Sequence, residues 1–223
     1  MGLANRPTGE VPGMTWEETK AQLRLAYDRA AEERDRHEKE SWKLRERQDF
    51  LHRLLAVDTR QLLELGTGTG EDALFFQAAG IDVTGVDLSS EMVRISRGKG
   101  LHVQELDFTT VAEHFSLASF DGAYSINALL HVPKERWDMI LTGVQAVVRP
   151  SGLFCLGIYG GVDRDGIWLD DHYLPPRHFT FHTDDALVER LSRFFDVVDF
   201  HTVDYGHALL HFQAATLRIR VGS

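Results

Sequence analysis

A chain of 223 residues has room for one α/β domain with a substantial core and is short for two. Its formal net charge of −10, with no clustered basic stretch, argues against a nucleic-acid partner, whose phosphates need such a cluster. No run of about 18 apolar residues and no basic-then-apolar leader occurs, and Cys155 is the single cysteine, so no membrane span, no export and no intrachain disulfide are expected, and the default location is cytoplasmic.

The first 14 residues contain Gly, Pro and Asn without periodicity and are expected to form a flexible tail. Thr15-x-x-Glu18 has capping-box spacing and predicts a helix start, with Trp16, Leu23, Tyr27 and Ala30 along one stripe. Residues 32–40 are densely charged, with Glu32/Arg36 and Asp35/Lys39 four apart, as on a solvated helix face. A second helix is expected over residues 41–56, with Leu51, Leu54 and Leu55 on one side. The run QLLEL then opens into three alternate glycines, Gly66, Gly68 and Gly70, the pattern of a buried parallel strand entering a tight turn. Helical character resumes at Asp72.

Ile81, Val83 and Val86 predict a second strand ending in Asp87, followed by a helix over residues 89–98 with Met92 inward. Residues 102–108 alternate as a third strand reaching Asp107, and residues 120–126 form a fourth that leads to Asn127 and His131. Pro133 and Glu135 open a helix reaching Val148, a turn follows over 149–152, and 153–159 is the fifth strand, with Cys155 as a small buried apolar residue. Residues 160–183 read as one long irregular loop, a length usually tied to function. Thr183 caps a helix to Phe194, and two apolar runs separated around Tyr205-Gly206-His207 predict an antiparallel hairpin. The sum is an α/β chain with a doubly wound, mostly parallel sheet of seven strands, closed by that C-terminal hairpin.

The glycine turn restricts the ligand. A dinucleotide fingerprint needs a glycine where Glu71 stands, and no Gly-Lys-Ser/Thr follows for a phosphate loop. Glu64, Glu71 and Asp72 surround a helix start that would otherwise favour anions, which suits a ligand with cationic groups and no phosphate. Asp87, about 20 residues beyond the glycines, is placed to accept from ribose hydroxyls.

ELGTGTG, followed by an acid and Ser-x-x-Met, resembles the first motifs of the class I, seven-strand S-adenosylmethionine-dependent methyltransferases, over roughly residues 62–156. The resemblance implies S-adenosyl-L-methionine as cofactor, held by Glu64, Gly66, Thr67, Gly68, Gly70, Asp87, Leu88, Met92, Asp107, Phe108, Asn127 and Arg47. Asp107 would bond the adenine amino group and Phe108 would flank the ring. Residues 15–57 would form a helical lid, 58–160 the cofactor-binding core, 161–183 a substrate loop, and 184–223 the last helix and hairpin. Tyr27, Trp42, Tyr159, Trp168 and Arg177 are the expected substrate contacts, Arg177 through either a substrate carboxylate or an ion pair with Asp170 or Asp171.

Methyl transfer from a sulfonium asks the protein chiefly to position a nucleophile, with a base where that nucleophile starts protonated. Histidine is the natural base at neutral pH, and His131, His172 and His178 are the expected catalytic positions. His172, His178 and His182 match no established metal-ligand spacing, so no metal is expected. The expected activity is methylation of an oxygen or nitrogen of a small molecule, by a monomer or homodimer that binds neither nucleic acid nor membrane. Two alternatives remain: a non-catalytic cofactor-binding protein with the same motifs, and an NAD(P)-dependent oxidoreductase, against which Glu71 stands.

Overall fold

The computed structural model describes residues 14–168 and 171–221. The expected tail over residues 1–13, and Asp170 of the long loop, lie outside the described residues. In chain order the elements are α1 (Trp16–Asp35), α2 (Ser41–Ala56), β1 (Gln61–Leu65), α3 (Glu71–Ala78), β2 (Asp82–Asp87), α4 (Ser90–Gly98), β3 (His102–Glu105) and the single turn α5 (Val111–His114). Then come β4 (Phe120–Ile126), α6 (Trp137–Val147), β5 (Val148–Gly160), β6 (Arg164–Ile167), β7 (His178–Phe181), α7 (Asp184–Phe194), β8 (Phe195–Val203) and β9 (His211–Ile219).

Seven strands form one sheet in the order β3-β2-β1-β4-β5-β9-β8. The first five are parallel, and β9 runs antiparallel between β5 and β8. Both faces of the parallel part are covered, which is why its strands read as near-continuous apolar runs. Leu63 and Leu65 pack with Trp137, Ile140 and Val144 of α6 on one face. Leu62 packs with Phe50 and Leu54 of α2 and Phe76 of α3 on the other. Chain direction across the sheet reverses between β1 and β4, the place where α/β sheets leave a crevice beyond their carboxyl ends.

The Thr15 capping box forms as its spacing demands, hydroxyl to the Glu18 amide and Glu18 carboxylate to the Thr15 amide. Several expectations are corrected. The buried stripe of α1 includes Ala26 and Ala31 rather than Ala30. The charges at its end reach across to the body instead of pairing within the helix: Glu32 bonds Arg94, and Asp35 bonds Lys99. On α2, Leu55 is 50% exposed, because Phe50 takes the inward face and packs on Phe76 and Tyr124.

β3 ends at Glu105, and Asp107 instead caps a short 3-10 turn through the Thr109 amide. Residues 134–136 form another 3-10 turn, so α6 begins at Trp137. β5 begins already at Val148, and its register against β4 jumps from Val148 to Leu153 around Ser151, whose φ is 64°. The stretch over 160–183 is not all irregular, since β6 and β7 pair as a separate hairpin. Thr180 donates to the Val132 carbonyl at 2.7 Å, and Asp165 accepts from the Lys134 amide at 3.1 Å, so the hairpin is pinned to the segment after β4. No described helix is long and apolar enough to cross a membrane.

Candidate active site

β1 carries Glu64 to the carboxyl edge of the sheet, and the glycine turn follows at once. Gly66 has φ 78°, and a Cβ there would lie 2.3 Å from the Ala128 Cβ, so the turn closes only without a side chain. Gly68, at φ 56°, meets no protein atom within 4 Å of where a Cβ would sit. Asp87 ties the turn to β2: one carboxylate oxygen accepts from the Gly68 amide at 2.7 Å, the other from the Ser89 amide at 2.9 Å. Burial pushes its pKa up and the two amides oppose that. Each oxygen keeps a further lone pair for ribose hydroxyls.

Glu64 is buried, and its Oε2 has no hydrogen-bond partner among the described residues; nor has the Asn127 side-chain oxygen. Burial, helped by the Asp72 charge, raises the Glu64 carboxyl well above the usual carboxylate range. Two buried acceptors waiting for a donor suit an ammonium group and would repel a phosphate. The chemistry of this acceptor set fits the groups expected of S-adenosylmethionine: hydroxyls at Asp87, an ammonium at Glu64 and Asn127.

The residues expected to meet adenine are differently arranged. Asp107 accepts from the Thr109 amide at 2.9 Å, from the Trp16 indole at 3.3 Å and from the Lys20 ammonium at 3.0 Å. Burial raises its pKa, but Thr109 and Lys20 outweigh this and hold it below the usual range. The carbonyl of Leu88 accepts from Arg24 of α1 at 3.1 Å. Leu88 and Phe108 are half-buried against the core, and Met92 is fully buried, away from the cavity. Arg47 reaches Asp72 at 2.8 Å and Glu71 at 3.5 Å, beside Lys39, which meets Asp72 at 2.5 Å. Arg47 and Lys39 thus neutralise the acidic start of α3.

A cavity of about 680 Å³ opens beside the turn, bounded by α1, the start of α2, the ends of β1 and β4, and the loop before β7. It joins Glu64, Thr67 and Asn127 to Tyr27, His131 and Arg177. His131 Nδ1 lies 2.8 Å from the His178 carbonyl, which can only accept, so that nitrogen carries the proton. The bare Nε2 then accepts from the Tyr27 hydroxyl at 2.6 Å. Arg177 donates to the same Tyr27 oxygen at 2.9 Å and grips Asp171 through two bonds of 2.8 Å each. Its guanidinium stacks 3.6 Å over the Tyr173 ring. Burial, then the Arg177 charge, lowers the His131 pKa to about 3, and burial raises that of Tyr27.

The remaining expected residues fall on and off this cavity. Arg177 takes Asp171 as its partner, so it is not a free carboxylate clamp. His178 contributes its carbonyl, while its ring bonds Asp165 at 2.7 Å outside the cavity. His172 lines the rim, largely exposed, and Tyr159 lines the wall beside Lys43. Trp42 packs on Phe212 and Tyr205, and Trp168 on Phe179 and Phe181; neither lines the cavity. Arg34, within the charged stretch expected to be solvated, lines the cavity wall. Its spacing of seven from Tyr27, the same face of α1, is the sequence signal for it.

Residues 62–152 match the family described as a methyltransferase domain. An O-methyltransferase of Aspergillus nomiae, rstn1, is 31% identical over 44% of this chain and 46% of its own length. Another from Penicillium expansum, cnsE, is 33% identical over 44% of this chain and 38% of its own. The chain thus spans less than half the length of these relatives. The solved 1,6-didemethyltoxoflavin-N1-methyltransferase of Burkholderia thailandensis, bound to 1,6-didemethyltoxoflavin and S-adenosylhomocysteine, superposes with a TM-score of 0.73 at 24% identity, covering 95% of this chain and 93% of that one. The [4+2]-cyclase SpnF superposes at 0.69 with 18% identity, covering 92% and 98%. With this sheet order and this glycine turn, the chain has the seven-strand fold of the solved methyltransferase it superposes on, and its residues 62–152 match the methyltransferase-domain family.

Proposed function

We propose that the chain transfers a methyl group from S-adenosylmethionine to an oxygen or nitrogen of a small metabolite or natural-product intermediate. The carrying observation is the single cavity that joins the orphaned acceptors of the glycine turn to the Tyr27–His131–Arg177 chain. When bound, the cofactor supplies a methyl carbon on a sulfonium, already an activated leaving group. What the protein adds is placement. Tyr27 donates its only proton to His131 and accepts from Arg177, which leaves one lone pair on the phenol oxygen for an O–H or N–H of the acceptor. His131 has both nitrogens occupied, so it acts through Tyr27 as a positioning residue.

A fold shared with a cyclase makes methyl transfer itself the thing to test. Calorimetry with S-adenosylmethionine, S-adenosylhomocysteine and NAD should show tight binding of the first two only. A screen of hydroxyl and amine metabolites for the mass gain of one methyl group should then give product, and cofactor binding without product across the screen would favour the non-catalytic alternative. Tyr27→Phe should leave S-adenosylhomocysteine affinity unchanged and lower kcat by about 10- to 100-fold. The acidic charge and the lack of a clustered basic stretch support a small-molecule acceptor over a nucleic acid.

A further inference from the structure

Five cationic side chains line the cavity: Arg29, Arg34, Lys39, Lys43 and Arg177. Three are neutralised where they stand, Lys39 by Asp72, Lys43 by Glu40 and Arg177 by Asp171. Arg34 is different. Its one side-chain bond is to the neutral Tyr173 hydroxyl at 3.0 Å, its guanidinium lies 5.6 Å over the Tyr27 ring, and it meets no carboxylate among the described residues. Arg29, five residues earlier on α1, bonds only the Leu174 carbonyl among the described residues, at 3.1 Å. In a chain with ten more acids than bases, a cavity-facing guanidinium without a carboxylate is a specific omission. The same cavity holds the converse defect, the unpartnered carboxylate oxygen of Glu64.

We infer that Arg34, assisted by Arg29, is a carboxylate-binding site of this cavity. A guanidinium offers a planar fork that matches a carboxylate with two parallel bonds, and Arg34 has one arm on Tyr173 and the rest of the fork uncommitted. Together with Glu64 it presents opposite charges to the two poles of an α-amino-acid group. Arg47, which the resemblance places at the cofactor, is spent on Asp72 and Glu71. Two ligands of the proposed reaction could bring the carboxylate: the amino-acid end of the cofactor, or an acidic acceptor. The inference rests on the methyltransferase reading for the identity of the first.

The test is calorimetry on the full chain and on Arg34→Gln and Arg34→Lys, using S-adenosylhomocysteine, 5′-methylthioadenosine (which lacks the amino-acid end) and malonate. A cofactor carboxylate predicts that Arg34→Gln weakens S-adenosylhomocysteine about 10- to 100-fold, with partial recovery in Arg34→Lys. The affinity for 5′-methylthioadenosine should stay the same, which also shows that the variant is folded. An acceptor carboxylate predicts unchanged S-adenosylhomocysteine binding in Arg34→Gln, with malonate bound by the wild type and lost in the variant. Unchanged binding of both S-adenosylhomocysteine and malonate would overturn the inference and leave the methyltransferase reading intact. Failure of the wild type to bind S-adenosylhomocysteine would sink that reading instead, and the malonate comparison would still decide the role of Arg34.

Discussion

Glu64 is costly to the ligand-free protein, and on the proposed reading it meets the ammonium of the cofactor. Its carboxylate is buried with one oxygen unpartnered, and its pKa is raised by burial and by Asp72. An acid raised on folding weakens the folded state increasingly as pH climbs above the ordinary carboxylate range of about 4.3, and not below it. Glu64→Gln should therefore raise the melting temperature of the ligand-free protein at pH 7 and leave it nearly unchanged at pH 4. The same variant should bind S-adenosylhomocysteine more weakly at pH 7, because a neutral amide replaces the acceptor for an ammonium. The glycines separate in a similar way. Gly68→Ala meets no protein atom and carries only the left-handed backbone cost of about 1–2 kcal/mol, so denaturation should show a folded protein. Gly66→Ala adds a clash with Ala128 and should lose clearly more stability in the same titration.

At the scale of elements, α1 lies across the carboxyl ends of β2 and β3. Besides its buried Trp16, Leu23, Ala26 and Ala31, it is attached there through polar side chains: Lys20 to Asp107, Arg24 to the Leu88 carbonyl, Asp28 to the Ser89 hydroxyl, Glu32 to Arg94 and Asp35 to Lys99. The exposed ion pair among them, Glu32–Arg94, contributes about 0–1 kcal/mol and is screened within roughly 8–10 Å at moderate salt. By contrast α6 is held by Trp137, Ile140, Leu141 and Val144, all fully buried. Raising the salt concentration from low levels to about 1 M, where the screening length falls to about 3 Å, should speed amide exchange along α1 much more than along α6. Equal responses would mean that Trp16 and Leu23, rather than the charges, hold the helix down. Lys20 and Trp16 also occupy Asp107, the carboxylate expected to meet adenine.

Across the whole molecule, one titrating contact ties the last strands to the second helix. His201 of β8 bonds Asp199 at 2.8 Å through Nδ1 and Glu46 of α2 at 3.0 Å through Nε2. Burial opposes its charge, but the two carboxylates outweigh burial and raise its pKa above 6.5. A histidine raised on folding stabilises fully below its unfolded pKa of about 6.5, and the contribution is lost as pH rises through the folded value. The melting temperature of the wild type should exceed that of His201→Gln at pH 6, and the gap should close toward pH 9. A constant gap would assign the contact a packing role. Cys155 sits nearby beneath α2, its thiol pushed up by burial, in keeping with an inert apolar side chain.

The amino-acid sequence by itself determined the seven strands of the main sheet to within a few residues, and the acids Glu64 and Asp87 near the carboxyl ends of two of them. Apolar period, glycine spacing and cap residues act over a few neighbours, so Glu64, Gly66, Gly68 and Asp87 are legible without coordinates. The hairpin over 164–181 was hidden because its short strands gain their pairing from anchors after β4 rather than from their own apolar content. Only the tertiary structure decided what faces the cavity. Tyr27 meets His131 across 104 residues and Arg177 across 150. Which arginine is neutralised and which is left open depends on how α1 and the loop before β7 settle against each other. Local propensity carries no record of that packing.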